Sequence, residues 1–187
     1  MEIPSENPPD EAIHSTSGEE INRSWYAVYT KARHEKRVHS QLLDKGIESF
    51  LPLVKKTRRW KDRKKKVDFP LFTSYVFVRI DYRFRLPVLE TYGVVKIVNF
   101  RGRPAPIPDH QIEAIKRMLR FPDRIRLEDY IASGDRVVVT AGPLEGITGI
   151  IRYVRKDQAR LVVSLDSIRQ SVSIEIDRDM VRKIESQ

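Results

Sequence analysis

The sequence predicts an α+β protein in two parts: helices packed on a mixed sheet over residues 24–120, and a small all-strand barrel over residues 133–187. Three observations carry this. Strand-like and helix-like runs alternate as far as residue 120, which suits helices laid on a sheet of about four strands. From Gly134 onward, short apolar runs of period two follow one another between Gly and polar turns, with no helical spacing. Between them, residues 121–132 hold Pro122 and mixed charge with neither period, and are read as a linker.

The first 23 residues contain Pro4, Pro8, Pro9 and Gly18, many Ser and Glu, and only isolated apolar residues. Such a segment buries too little surface to offset its ordering entropy and is expected to be a disordered acidic tail. Trp25–Thr30 then reads as a central strand, apolar on both faces. A helix follows, with Thr30 as its expected cap, Val38 and Leu42 four residues apart, and Gly46 as the stop. His34, Glu35, Lys36, Arg37, His39 and Lys45 are expected to cover its polar side. Ile47–Val54 reads as a second strand, and Pro52 places it near an edge or at a bend.

Residues 55–66 hold nine bases, one acid and Trp60, the composition of a basic hairpin. Residues 70–80 form the stretch around which the first part is organised, dense in β-branched and aromatic types. At period two Val76, Val78 and Ile80 share one face, and Tyr75 and Phe77 the other. Phe72 joins Phe77 only if a turn at Thr73-Ser74 resets the phase. A short helix is expected over 82–91, limited by Pro87, then a strand over 94–100 and a stiff turn through Pro104, Pro106 and Pro108. Asp109 is the expected cap of a helix whose apolar face is Ile112, Ile115 and Leu119. Five short strands complete the chain: 136–140, 147–154, 159–165, 170–176 and 180–184.

Charge and composition narrow the function. The net charge is +9 with a pI near 9.8. It is unevenly spread: −5 over residues 1–24, +13 over 25–131 and +1 over 132–187. The middle of the chain therefore suits a polyanion or an acidic protein surface. The absence of cysteine excludes disulfide and thiol chemistry, and four histidines at 14, 34, 39 and 110 offer no metal-ligand spacing. No apolar run has transmembrane length and the N-terminus lacks the pattern of a signal peptide, so a cytoplasmic protein that meets no membrane is expected. There is no nucleophile elbow, phosphate loop or paired carboxylate, and the chain is read as a non-enzyme without cofactor or metal.

Three runs resemble one family. Trp25-Tyr26-Ala27-Val28-Tyr29 with Glu35 and Val38, Pro70-Leu71-Phe72-Thr73-Ser74-Tyr75-Val76-Phe77-Val78, and Gly134-Asp135-Arg136-Val137 through Gly142-Pro143-Leu144-Glu145-Gly146-Ile147-Thr148-Gly149 are similar, in order and spacing, to the NusG family of transcription elongation factors. The resemblance implies an N-terminal NGN-type domain over 24–120 and a C-terminal KOW domain over 133–187, an SH3-like barrel of five strands. It implies that Tyr29, Phe72, Tyr75 and Phe77 form an apolar patch for the clamp helices of RNA polymerase's largest subunit. It further implies that the second domain recruits a ribosomal protein or Rho, or contacts RNA; the chain is expected to be a monomer.

Departures from the family pattern point to a specialised member. Thr73-Ser74 stands where the family often has Pro-Gly. Ile168-Arg169-Gln170-Ser171-Val172-Ser173-Ile174-Glu175-Ile176 replaces the late Phe-Gly-Arg and Thr-Pro-Val-Glu-Leu runs of housekeeping members, which puts the Rho and ribosomal-protein contacts in doubt. Arg33-His34-Glu35-Lys36 and the compact basic segment look like antiterminators of surface-polysaccharide operons, of the RfaH/UpxY kind. In that segment Arg58, Arg59, Lys61 and Arg63 suit phosphates and Trp60 suits a base, of non-template DNA or nascent RNA. The Gly-Pro-Leu-Glu-Gly run reads as a barrel turn without chemistry. The competing reading is a free RNA-binding module of the RRM type, since Tyr75 and Phe77 have the spacing of an RNA-stacking strand. The barrel and the missing basic Gly ahead of that strand count against it.

Overall fold

A computed structural model describes residues 22–60, 63–131, 133–153 and 158–184, with backbone alone at 56–60, 63–65, 153 and 158. Most of the expected acidic tail, residues 1–21, lies outside the described residues, as does Lys61.

The first part opens with β1 (Ser24–Thr30) and α1 (Glu35–Asp44). Then come β2 (Glu48–Phe50) and the hairpin of β3 (Leu53–Trp60) and β4 (Arg63–Pro70), followed by β5 (Tyr75–Ile80). A single 3-10 turn (Tyr82–Phe84) leads into α2 (Leu86–Leu89). Next are β6 (Val94–Ile97), the small hairpin of β7 (Asn99–Phe100) and β8 (Arg103–Pro104), and α3 (Asp109–Met118). The sheet runs β2-β5-β1-β6, with every pairing antiparallel. The predicted break at Pro52 is present: β2 is an edge strand, and the chain bends before β3.

Period two assigns the two faces of this sheet. Tyr26, Val28, Val76, Val78 and Ile80 pack with Val38 and Leu42 of α1 and Val88 of α2. Trp25, Ala27 and Phe77 pack with Ile112, Ile115 and Met118 of α3. Each such buried side chain contributes about 1.5–3 kcal/mol, which is why both faces need cover.

The second part is one antiparallel sheet of six strands. β9 (Ile125–Asp129), β10 (Arg136–Val139), β11 (Thr148–Tyr153), β12 (Gln158–Leu165), β13 (Gln170–Asp177) and β14 (Val181–Lys183) are ordered β14-β10-β11-β12-β13-β9. Val137, Ile151, Leu161, Val163, Val172 and Ile174 form its interior. Gly149 is needed there, because a Cβ would stand 2.5 Å from the Val162 carbonyl oxygen.

Four local expectations need correction. Residues 121–132 are not irregular throughout: β9 lies inside that span and pairs with β13 from Gln170↔Asp129 to Ile174↔Ile125, adding a sixth strand. Thr30 does not cap α1. The helix begins five residues later behind His34, and the Thr30 hydroxyl is buried without a hydrogen-bond partner among the described residues. Asp109 is the first residue of α3 rather than its cap, and its carboxylate accepts from Arg79 at 3.1 Å instead. Glu35 does not belong to the exposed side of α1 but is 4% exposed.

The two parts meet through α3. Its apolar residues belong to the same buried cluster as the barrel interior, and Arg117 donates to the Pro143 carbonyl at 2.7 Å.

Candidate polymerase and nucleic-acid interface

The turn from Phe72 to Tyr75 decides where the aromatic residues point. Tyr75 N–H donates to the Phe72 carbonyl at 3.3 Å, and Ser74 sits at φ 65°, in the left-handed region. Glycine fits that conformation freely, and serine takes it only with support. Glu35 supplies the support: its buried carboxylate accepts from Ser74 N–H at 2.8 Å, while Ser74 O accepts from Thr30 N–H at 2.9 Å. The turn is the phase reset that the pattern required, and Phe72 joins the cluster that holds Phe77.

The four expected patch residues divide into two pairs. Phe72 and Phe77 have no exposed surface; their rings meet edge to face at 5.7 Å, and Phe77 also lies 6.2 Å from Phe50. The expectation that these two rings lie open is therefore corrected: the turn carries Phe72 inward, and both join the cluster that α3 closes. Tyr29 and Tyr75, opposite each other on β1 and β5, stay at the surface, with Tyr29 37% exposed and the rings 5.4 Å apart. Partial burial, and next the neighbouring Tyr29, push the Tyr75 hydroxyl above the usual tyrosine pKa.

Beside this pair lies a cationic surface that the sequence reading passed over. The half-exposed Tyr92 ring has the Arg37 guanidinium at 4.5 Å, the Lys31 ammonium at 5.3 Å and the His34 ring at 5.8 Å. Gly93, at φ 99°, lets the chain pass under α1, because a Cβ would press on Val38 at 3.0 Å. The signal that was available is spacing: Lys31, His34 and Arg37 recur every three residues across the start of α1.

The basic run is the hairpin expected of it. Backbone pairing places Trp60 opposite Arg63, Arg59 opposite Lys64 and Arg58 opposite Lys65. The hairpin leaves the sheet between β2 and β5. Arg58, Arg59, Trp60 and Arg63 thus share the outer half of one ribbon, apart from the tyrosine pair on β1 and β5.

The family described as "Transcription termination factor nusG" matches residues 23–116, half of the chain and all of the first sheet. The chain belongs to the NusG family. This NusG-family chain is 27% identical over 188 residues to the transcription termination/antitermination protein NusG of Deinococcus radiodurans, covering 85% of this chain and 98% of that one. To the protein of the same name from Escherichia coli (strain K12) it is 26% identical, over 86% and 96% of the two chains. The solved structure titled "Domain interaction in Thermotoga maritima NusG" matches it with a TM-score of 0.50 at 23% identity, over 88% of this chain and 98% of that one. The likeness extends over the first sheet and the barrel together. The two relatives are named as transcription termination/antitermination proteins, and the Thermotoga structure is alike in fold. Among the described residues no helix is long and apolar enough to cross a membrane.

Proposed function

We propose that this chain is a transcription elongation and antitermination factor that docks on the clamp helices of RNA polymerase through the Tyr29–Tyr75 face. The observation that carries the reading is that ring pair, Tyr29 exposed and Tyr75 partly buried at the ends of two central strands, backed by buried Phe72 and Phe77. Aromatics dominate interface hot spots, and rings on a rigid sheet lose little freedom on binding. The buried phenylalanines then act as the floor of the site. The chain changes no bond: it stabilises one conformation of the polymerase and so suppresses pausing or termination.

The basic hairpin with Arg58, Arg59, Trp60, Lys61 and Arg63 reaches non-template DNA or nascent RNA. Contact with three or four phosphates of a single strand gives a log–log salt slope of roughly −2 to −3. The barrel recruits a further factor, of the ribosomal-protein or Rho kind, or touches RNA. Service to one long operon, of the surface-polysaccharide type, is supported by the residues that depart from housekeeping members. Among these, Gln170–Asp177 forms a strand paired on both sides, so a partner there meets the barrel's face rather than a free edge.

The test is retention on immobilised RNA polymerase. Full-length protein is expected to bind, and Tyr29→Ala with Tyr75→Ala is expected to abolish retention while the thermal melt stays near that of the parent. Retention by the double variant equal to the parent's would remove the ring pair from the interface.

A further inference from the structure

A further exposed aromatic lies on the β6 flank of the sheet, the edge away from β2 and the long basic hairpin. β7 and β8 form a miniature hairpin, Asn99 opposite Pro104 and Phe100 opposite Arg103. Its two turn residues, Arg101 at φ 50° and Gly102 at φ 76°, are both left-handed, the pattern of a tight primed turn. A free two-stranded hairpin of this length has no stability in water. This one is fastened at its roots: Val98 N–H donates to the Ala27 carbonyl and Ile107 N–H to the Trp25 carbonyl, each at 2.8 Å. Tyr82 adds a hydroxyl bond to Asn99 at 3.3 Å, and prolines 104, 106 and 108 restrict the returning arm.

The tip carries Phe100, 60% exposed, with the Arg101 guanidinium 5.3 Å from its ring centre. Among the described residues neither Arg101 nor Arg103 has an ion-pair partner, and no acid occurs between Glu90 and Asp109. The result is a fastened hairpin tip whose exposed ring has the Arg101 guanidinium over it and Arg103 as its cross-strand partner, neither in an ion pair among the described residues.

We propose that this hairpin is a contact for single-stranded nucleic acid, with Phe100 stacking on one base and Arg101 and Arg103 holding the phosphates on either side. The chemistry selects this partner. A single strand offers a flat ring and two fixed negative charges at the spacing of one nucleotide step, whereas an acidic peptide offers the charges without the ring. Because the finger is held in place beforehand, little ordering entropy opposes binding. It follows β6, on the edge of the sheet away from β2, whereas the long basic hairpin leaves beside β2. The inference goes beyond the function proposed above and stands whether or not the polymerase contact does.

The experiment is fluorescence anisotropy of the full-length chain with labelled single-stranded oligothymidylate DNA and oligoadenylate RNA. Phe100→Ala is expected to weaken binding roughly 5- to 140-fold, the effect of losing one base–aromatic stack, and Phe100→Trp to restore it. Arg101→Gln with Arg103→Gln is expected to flatten the log–log salt slope by about 1.4, two phosphates' worth. The melting midpoints of all three variants should match the parent's, since the ring is exposed. Unchanged affinity in Phe100→Ala overturns the proposal. Trp60→Ala run alongside separates the two hairpins: loss there without loss at Phe100 leaves only the long hairpin as a nucleic-acid site. Loss of polymerase retention in Phe100→Ala with oligonucleotide affinity intact makes the finger a protein contact and likewise overturns it.

Discussion

Phe77→Ala separates a floor from a contact. Phe77 is fully buried, edge on to Phe72 at 5.7 Å and tilted against Phe50 at 6.2 Å, beneath α3. Removing a ring so placed loses its transfer free energy and leaves a cavity lined by two other rings. Such substitutions cost about 3–5 kcal/mol. Against a whole-domain stability of roughly 5–15 kcal/mol this is a large share. With a urea slope of about 2 kcal/mol per molar, the midpoint falls by about 2 M. Tyr75→Ala removes a half-buried ring whose aromatic partner is the exposed Tyr29, so the loss beyond its buried area is about 1 kcal/mol. Urea unfolding followed by tryptophan fluorescence is suitable, since Trp25 shares the cluster with Phe77. The reasoning is refuted if Phe77→Ala keeps the parent's midpoint yet loses the polymerase, because the ring would then be acting outside the core. It is equally refuted if Tyr75→Ala is the variant that unfolds.

Three further outcomes follow from the same structure. Glu35→Ala should cost about 1.5–3 kcal/mol by leaving the Ser74 N–H without its charged acceptor, and Glu35→Gln, which keeps an acceptor oxygen, should recover much of it in the same urea assay. Arg160 ties β9 to the barrel: Nε donates to Ser173 Oγ at 2.9 Å, a second nitrogen to the Arg124 carbonyl at 3.3 Å, and Glu128 lies 3.5 Å away. Arg160→Ala should therefore speed hydrogen exchange at 125–129 before the rest of the barrel, with a total loss of about 2 kcal/mol. His39 is held below the ordinary histidine pKa by burial, so the unfolded chain binds its proton first as the pH falls. Its contribution is present above the unfolded value near 6.5 and is lost on acidification below it, and His39→Gln should flatten that limb of a stability–pH profile.

The fold was legible wherever burial imposed a period. β1 and β5 carry apolar groups on both faces because helices cover both; β10, β11 and β14 fall within the runs the alternation marked, and β12 and β13 each exceed theirs by one residue. β9 was illegible for the same reason. Only Ile125 is buried in it, Leu127 is 48% exposed, and the remainder of Ile125–Asp129 is charged. Its place depends on backbone pairing to β13 and on Glu128 meeting Arg160 and Ser173, neither of which leaves a hydrophobic pattern. The caps failed because Thr30 and Asp109 have the right chemistry one turn or one residue from where the helices start.

The site was legible in its residue types and not in its exposures. Tyr29 and Tyr75 lie at the ends of their strands while Phe77 sits within β5 opposite Ala27, and a linear pattern cannot tell a ring under α3 from one beyond it. What sorts them is the turn at Thr73-Ser74, and that turn depends on Glu35, thirty-nine residues away in sequence. A glycine at position 74 would have announced a left-handed residue; a serine there hides it, and the buried carboxylate that makes the serine possible looks like one more charge on a helix. The same blindness applies to Phe100. Its strand is two residues long, and its exposure follows from hydrogen bonds at Ala27 and Trp25 that no spacing encodes. What sets this ring apart from a singly exposed one such as Phe84 is its place on a basic flank without acids, the setting in which stacking on a base is proposed above.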